Sequence, residues 1–261
     1  MDRWEGKTAI VTGASTGIGA VTALALADAG MVVVAAARRL HLLQELEQQV
    51  SGSGRILPFQ CDVCKAEDVE GLIEFANNQA GGVDVLVNNA ALMQTGTVTG
   101  YGYQNAYSIY CNGLGLSLSE LDESVRLNIM SVVMVTRLAV KNMTDRKVPG
   151  HVVNINSVFG HKMINMGTIQ SIGLYGPTKY AVTAMSEVFR LECNYTGVPI
   201  RVTSISPGAT DTQLVLKVPF LPGDAPRLNP QDIAAAIIFA ISTPQHVNIT
   251  ELTIQSTGEV V

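Results

Sequence analysis

Tyr175 and Lys179 lie four residues apart in the run Tyr175-Gly176-Pro177-Thr178-Lys179. On a helix that spacing puts both side chains on one face. An ammonium beside a phenol favours the phenolate, so the pair predicts a tyrosine whose pKa falls from about 10 toward working pH. A tyrosine tuned in this way exchanges a proton with an alcohol or carbonyl oxygen. Ser157, at the end of an apolar run, is a neutral donor able to polarise that oxygen. Far upstream, Thr12-Gly13-Ala14-Ser15-Thr16-Gly17-Ile18-Gly19 follows one apolar run and opens a helical pattern. Its glycines allow a tight turn and close backbone approach, and the helix start offers N–H groups to phosphate. A glycine-rich turn without a ligand is the plainer alternative. A nucleotide loop and a proton-exchanging tyrosine together point to hydride transfer.

The residues after the second apolar run bear on which nucleotide. Where NAD enzymes place a ribose-binding carboxylate, the chain has Ala37, followed by Arg38 and Arg39. A carboxylate binds a free 2′-OH, whereas arginine accommodates a 2′-phosphate, so NADP(H) is expected. A pair of solvated arginines is the alternative, though arginine at a helix start is electrostatically unfavourable. Asp62, and Asn88-Asn89-Ala90-Ala91, close two further strands and are placed for adenine, ribose or neighbouring strands; ordinary strand-end turns account for each singly.

These residues need a frame, and the chain alternates short apolar runs with helical patterns. Strands are predicted at Thr8–Thr12, Met31–Ala37, Ile56–Gln60, Val83–Asn88, His151–Asn156, Ile200–Ser206 and Glu251–Gln255. Helices are predicted at Ile18–Ala29 with Gly30 as its stop, Leu40–Val50, Asp68–Asn78, Leu121–Asn142 and Tyr175–Tyr195. A last helix starts at Asn229-Pro230 and ends near Ser242. Such alternation predicts an α/β fold, a Rossmann-type doubly wound parallel sheet with helices on both faces. With 261 residues, 47% of them hydrophobic, residues 1–261 suffice for a single domain with a full core.

A net charge of −5 gives no nucleic-acid footprint, and no apolar stretch reaches the roughly 18 residues of a membrane span. The start, Met1-Asp2-Arg3-Trp4, has no signal-peptide core, which predicts a cytoplasmic chain in which the Asn-x-Thr sequons at Asn142, Asn194 and Asn248 are silent. Cys61-Asp62-Val63-Cys64 spells C-x-x-C, but Cys111 and Cys193 form no second pair and no histidine cluster accompanies them. Two thiols at a strand end, and no metal, is the expectation.

In order along the chain, Thr12–Gly19, Asp62, Asn88-Asn89-Ala90, Asn128, Ser157, Tyr175-x-x-x-Lys179 and Pro207-Gly208-Ala209-Thr210-Asp211-Thr212 resemble the short-chain dehydrogenase/reductase family over nearly the whole length. The resemblance implies that Tyr175 is the general acid/base and that Lys179 lowers its pKa and binds the nicotinamide ribose. It implies that Ser157 bonds the substrate oxygen and that Asn128 holds a water in a proton relay to Lys179. The expected cofactor site comprises Gly13, Ser15, Thr16, Gly17, Ile18, Gly19, Arg38, Arg39, Asp62, Val63, Asn89, Ala90, Tyr175, Lys179, Pro207, Gly208, Thr210 and Thr212. Within the family, Cys61-Asp62-Val63, Ser206-Pro207-Gly208 and Ser242-Thr243-Pro244-Gln245-His246 resemble the branch of insect farnesol dehydrogenases and a mammalian keto-steroid and carbonyl reductase.

The chain departs from the family in three places. Asn-Asn-Ala-Gly reads Asn-Asn-Ala-Ala, so Ala91 adds a methyl near the cofactor and calls for a different backbone angle. The stretch between Ser157 and Tyr175, which holds His161, is longer than usual, and so is the loop ahead of Asn128. That loop, Met93–Ser117, carries five glycines and four tyrosines (Tyr101, Tyr103, Tyr107 and Tyr110) without a period. It is expected to border the substrate mouth or a subunit interface. His161 reads first as a solvent-exposed loop histidine, with a polar contact in the pocket as the alternative.

Segments expected at the mouth supply Met163, Ile164, Met166, Ile169, Ile172, Leu214, Leu216, Val218, Phe220 and Leu221, which suit an apolar alcohol or carbonyl. A terpenoid alcohol such as farnesol leads, and a keto-steroid or quinone follows. The rival of a different class is a non-catalytic NADP-binding sensor or assembly protein. A homodimer or homotetramer is expected.

Overall fold

The computed structural model describes residues 1–100, 115–163, 172–215 and 224–259. Seven strands, β1 (Thr8–Thr12), β2 (Val32–Ala37), β3 (Arg55–Gln60), β4 (Val85–Asn88), β5 (Gly150–Ile155), β6 (Ile200–Pro207) and β7 (Glu251–Ile254), form one sheet in the order β3-β2-β1-β4-β5-β6-β7. Every pairing is parallel. The order reverses direction between β1 and β4, which opens a crevice at the carboxyl ends of the strands.

Parallel strands connected by helices are covered on both faces, which is why β1, β4, β5 and β6 are buried at every residue. Successive side chains leave a strand on opposite faces. Ala9, Val11, Val33, Ala35, Val85, Val87 and Val153 meet α1 (Gly17–Asp28) and α7 (Pro230–Ser242) through Leu26, Ile233, Ile237 and Ile241. Ile10, Val34, Ala36, Leu86 and Val152 face the other way, toward Leu72 of α3 (Ala66–Ala80) and Val135 and Met143 of α5 (Ser131–Asp145). Each such large buried side chain contributes about 1.5–3 kcal/mol, so the two apolar layers fix the strand register.

Every predicted strand forms, with ends shifted by one or two residues. Helix α1 ends before Gly30, which takes a positive φ of 93° there. Helices α2 (Leu40–Glu47) and α6 (Tyr175–Cys193) begin where expected. The helix predicted over Leu121–Asn142 differs in two respects. It starts earlier, as α4 (Leu118–Val125), because Ser117 and Glu120 form a capping box. It also contains a π-helical turn, Arg126–Met130, that joins α4 to α5 and carries Asn128.

At the amino end of the sheet, a short 3-10 turn places Trp4 under α7. Its indole nitrogen donates to the Ile241 carbonyl at 2.8 Å, and the Arg3 guanidinium lies 4.9 Å from its ring centroid. Buried Arg201 donates to the same carbonyl at 2.9 Å and ties down the chain after α7. Among the described residues no helix is long and apolar enough to cross a membrane. The four loop tyrosines, Cys111, and Ile164, Met166, Ile169, Leu216, Val218, Phe220 and Leu221 lie outside the described residues.

Candidate active site

A cleft of about 560 Å³ lies over the β1–β4 switch point. Its floor is the glycine-rich turn, where Gly13 and Gly17 take φ of 65° and 60°. A Cβ on Gly13 would stand 2.8 Å from the Ala90 Cα, and one on Gly17 would stand 3.2 Å from the Thr212 methyl across the cleft. Glycine is therefore required for both angle and space. Thr16, at the N-cap of α1, supplies no side-chain cap, so the helix start presents its N–H groups and positive dipole end to the cleft.

Asn89 fastens this turn to β4. Its amide donates to the Thr12 and Gly13 carbonyls at 2.9 and 3.2 Å, while the Thr12 hydroxyl accepts from the N–H groups of Asn89 and Ala90. Gly19, by contrast, does not line the cleft. A Cβ there would meet Asn89 Nδ2 at 2.4 Å and the Gly13 carbonyl at 2.5 Å, so its bare face permits helix–strand packing behind the loop.

Arg38 and Arg39 are exposed at the rim. Arg39 reaches back across the glycine turn and donates to Ser15 Oγ at 2.8 Å and Thr16 Oγ1 at 3.2 Å. Asp62 and Val63 form the far wall, with Asp62 Oδ1 accepting from the Cys64 N–H at 3.1 Å. Cys61 and Cys64 are free thiols. Burial, reinforced by Asp68 and Asp62, pushes Cys61 up to about 12.

The cleft continues into a smaller, drier pocket of about 120 Å³ that shares Ile18, Asn89, Ala91 and Thr212 with it. Ser157, Tyr175 and Lys179 converge there, all buried, beside Pro207, Gly208 and Thr210. Ser157 lies two residues beyond β5 and N-caps a one-turn 3-10 helix, its Oγ accepting from the Phe159 N–H at 3.2 Å. Tyr175 and Lys179 come from the first turns of α6. Lys179 Nζ donates to the Ile155 carbonyl at 2.7 Å and lies 5.5 Å from the Tyr175 ring centroid.

The electrostatics correct one expectation. Beside Lys179 the Tyr175 phenol still does not fall below its ordinary value: burial raises it to about 12, and the hydrogen bond to Ser157 opposes that only in part. Burial also lowers Lys179 to about 8. In a dry pocket desolvation disfavours both charged forms and outweighs their mutual attraction.

Asn128 stands behind the pocket. Its amide donates to the Leu92 carbonyl at 2.9 Å and to Thr178 Oγ1 at 3.0 Å, and its Oδ1 accepts from the Leu92 N–H at 2.9 Å. Thr178 in turn donates to the Tyr175 carbonyl at 2.8 Å. Thr178 was missed by sequence reasoning, although a hydroxyl between Tyr175 and Lys179 was its signal. Ala91 takes no positive φ, so its methyl needs no unusual backbone angle. His161 is more engaged than a free loop residue: its Nε2 contacts Glu251 Oε1 at 2.6 Å and Ser206 Oγ at 2.9 Å. The described start of the long loop borders the pocket. Met93 packs with Ile172 and Tyr175, and Gly96 bridges Ile172.

The short chain dehydrogenase family model matches residues 7–219. The chain belongs to the short-chain dehydrogenase/reductase family. It is 39% identical to a farnesol dehydrogenase of Aedes aegypti, with 99% of each chain covered. An alcohol dehydrogenase from the archaeon Thermococcus sibiricus, solved with 5-hydroxy-NADP, superposes with a TM-score of 0.74 at 27% identity over 98% of both chains. The 3-ketoacyl-(acyl-carrier-protein) reductase of Brucella melitensis, solved with NADH, gives 0.76 at 26% identity, covering 99% of this chain and all of that one (100%). This family member is an oxidoreductase of a small-molecule substrate that uses a nicotinamide dinucleotide, and the glycine cradle and uncapped helix start fit that group.

Proposed function

We propose that the protein is an NADP(H)-dependent dehydrogenase/reductase that interconverts an apolar alcohol and its carbonyl. The convergence of Ser157, Tyr175 and Lys179 on one buried pocket, continuous with an arginine-rimmed dinucleotide cleft, carries this reading. The glycine turn and Thr212 hold the pyrophosphate, Asp62 and Val63 the adenine end, and Arg38 and Arg39 the 2′-phosphate. The bound cofactor supplies or accepts the hydride.

The chain's own groups handle the oxygen. Ser157 donates to it and Tyr175 exchanges the proton with it. With its phenol pushed up to about 12, Tyr175 holds its proton at neutral pH and is set to donate it to a carbonyl. Lys179, lowered to about 8, is still largely an ammonium at pH 7 and stabilises the phenolate left behind. Asn128 and Thr178 hold the start of α6 against the strand β4 exit, and so fix where the phenol stands. One lone pair of Asn128 Oδ1 is left for a relay water.

Met93, Val158, Phe159, Ile172, Leu214 and Val215 make the described walls apolar. At about 120 Å³ this space accepts the reacting end of a substrate and not the whole of one. A terpenoid alcohol such as farnesol is the leading substrate, supported by the name of the Aedes aegypti relative. A dehydrogenase and reductase screen over farnesol, keto-steroids and quinones, with NADP(H) and NAD(H) in parallel, tests the reading. Tight NADP binding without turnover would instead favour a non-catalytic sensor. A homodimer or homotetramer is also proposed: Tyr180, Val188 and Leu191 stand exposed at helical spacing on one side of α6, and sedimentation of the protein checks it.

A further inference from the structure

The residues after β7 return over the end of β6 and set a carboxylate against the turn that follows it. Ser256 and Glu259 close a small loop: the Glu259 N–H donates to the Ser256 carbonyl, and the Ser256 N–H donates to Glu259 Oε2, each at 3.0 Å. The other oxygen, Oε1, accepts from the Ala209 N–H at 2.8 Å. A Cβ on Gly208 would stand 2.2 Å from Oε2 and 2.5 Å from Oε1, so the carboxylate fills the space where a side chain at 208 would stand. Glu259 lines the same pocket as Ser157 and Tyr175.

The opposite edge of this turn is held as well. Ala209 C=O accepts from the Leu228 N–H, and the Asp211 N–H donates to the Leu228 carbonyl, both at 2.8 Å, in a parallel bridge between Thr210 and Leu228. In that pattern the main-chain N–H and C=O of Thr210 itself point to the edge away from Leu228. The Gly208–Ala209 peptide immediately precedes them: Glu259 holds its N–H, and its C=O accepts from the Thr210 hydroxyl at 3.1 Å.

We propose that Glu259 is a positioning residue for the nicotinamide end of the cofactor site. It acts through the Gly208–Ala209 peptide, so that the Thr210 main-chain donor and acceptor are aimed before the cofactor arrives. This rests on the reading of the cleft as a dinucleotide site. Nothing in the spacing Thr257-Gly258-Glu259 signals it, because the contact spans 50 residues of sequence.

Two variants and two measurements test it. Glu259→Ala should weaken NADP binding, read by calorimetry, about tenfold, as for loss of one charge-assisted hydrogen bond. In the cofactor-free protein the same change should speed hydrogen exchange at the Ala209 amide by about tenfold or more. Glu259→Gln keeps one acceptor for the Ala209 N–H but turns its NH2 toward the Ser256 N–H, so it should fall between wild type and Glu259→Ala on both counts. Gly208→Ala drives the carboxylate off the peptide and should reproduce both effects. Combined with Glu259→Ala it should add nothing further to the loss.

Wild-type-like exchange and affinity in Glu259→Ala would overturn the proposal, as would equal losses in Gln and Ala or additive losses in the double variant. Should Glu259→Ala fail to fold, Gly208→Ala carries the test, and unchanged affinity there overturns it. Failure of the wild-type protein to bind either nicotinamide dinucleotide would sink the reading of the cleft instead, while the exchange comparison would still decide the role of Glu259.

Discussion

Two regions at the same end of the sheet use opposite physics. The dinucleotide cleft is wide, Arg38 and Arg39 stand exposed at its rim, and its specific features are backbone angles and an uncapped helix start. The adjoining pocket is narrow and dry, and burial there moves Tyr175 to about 12 and Lys179 to about 8. Binding a phosphate needs fixed donors that tolerate water, whereas moving a proton needs groups whose pKa values water would restore to normal. Changes in the pocket should therefore strike rate and pH dependence, and changes in the cleft should strike cofactor choice.

The sharpest separation comes from Tyr175→Phe. Removing one hydroxyl from the dry pocket should cost roughly 10²–10⁴ in turnover while NADP affinity, measured by titration, stays near wild type. Near-normal turnover would break the comparison at its catalytic side. On the other side, Ala37→Asp with Arg38→Ala should weaken NADP binding by about 10–100-fold and strengthen NAD, with kcat on the preferred cofactor little changed. Because these arginines are exposed, the wild-type preference for NADP should shrink as salt rises. A wild-type protein that already prefers NAD would sink this assignment.

The third prediction concerns pH and stability. Lys179 has a folded-state pKa of about 8 against an ordinary 10.5. Between those values the unfolded chain binds more protons than the folded one, so this group makes stability rise from about pH 8 to about pH 10.5 and costs the fold most below pH 8. Tyr175, raised to about 12, acts with the opposite sign above about pH 10. Denaturant titrations of wild type and Lys179→Met across pH 7–10.5 should converge by at most ~3 kcal/mol. Parallel curves would mean that the pocket is wetter than its burial implies.

The smallest effect is expected from the long loop. Gly100 and Gly115 are so close that a Cβ on Gly115 would stand 2.2 Å from the Gly100 Cα. Residues 101–114 can therefore be replaced by a short glycine link without moving the described ends. KM for an apolar substrate should change by about 2–10-fold, or the assembly state should shift, with NADP affinity constant. Kinetics and assembly both unchanged would mark the segment as a tolerated insertion.

The cleft was more legible in sequence than the pocket, and the reason is contact distance along the chain. Strands buried on both faces are plain apolar runs, and the glycine turn lies between two adjacent elements, so the strands, Gly13 and Gly17 followed from local pattern. Arg39 was expected at the nucleotide rim, but its reach back to Ser15 and Thr16 spans more than twenty residues and was not. The pocket is assembled from β5, β6, α6 and the segments after β4 and β7; the family resemblance named Ser157, Tyr175 and Lys179, but neither the burial around them nor Glu259. The π-turn at Asn128 inserts into an otherwise regular helical period, which a hydrophobic pattern does not reveal. The sign of the Tyr175 shift was misread because spacing reports the neighbouring charge and not the burial that outweighs it.

Trp4 has a spectroscopic consequence. It is the chain's single tryptophan, and it sits under α7 before β1 begins, whereas the cleft opens where β1 ends, roughly 17 Å of strand away. Its indole is wedged between the Arg3 guanidinium and the Ile241 carbonyl, a setting that disappears only when the amino edge of the sheet comes apart. Intrinsic emission thus reports unfolding from the far side of the molecule, while NADPH fluorescence reports events in the cleft. The two optical signals can be followed in one cuvette, and a substitution that changes the second without the first has altered the site and spared the scaffold.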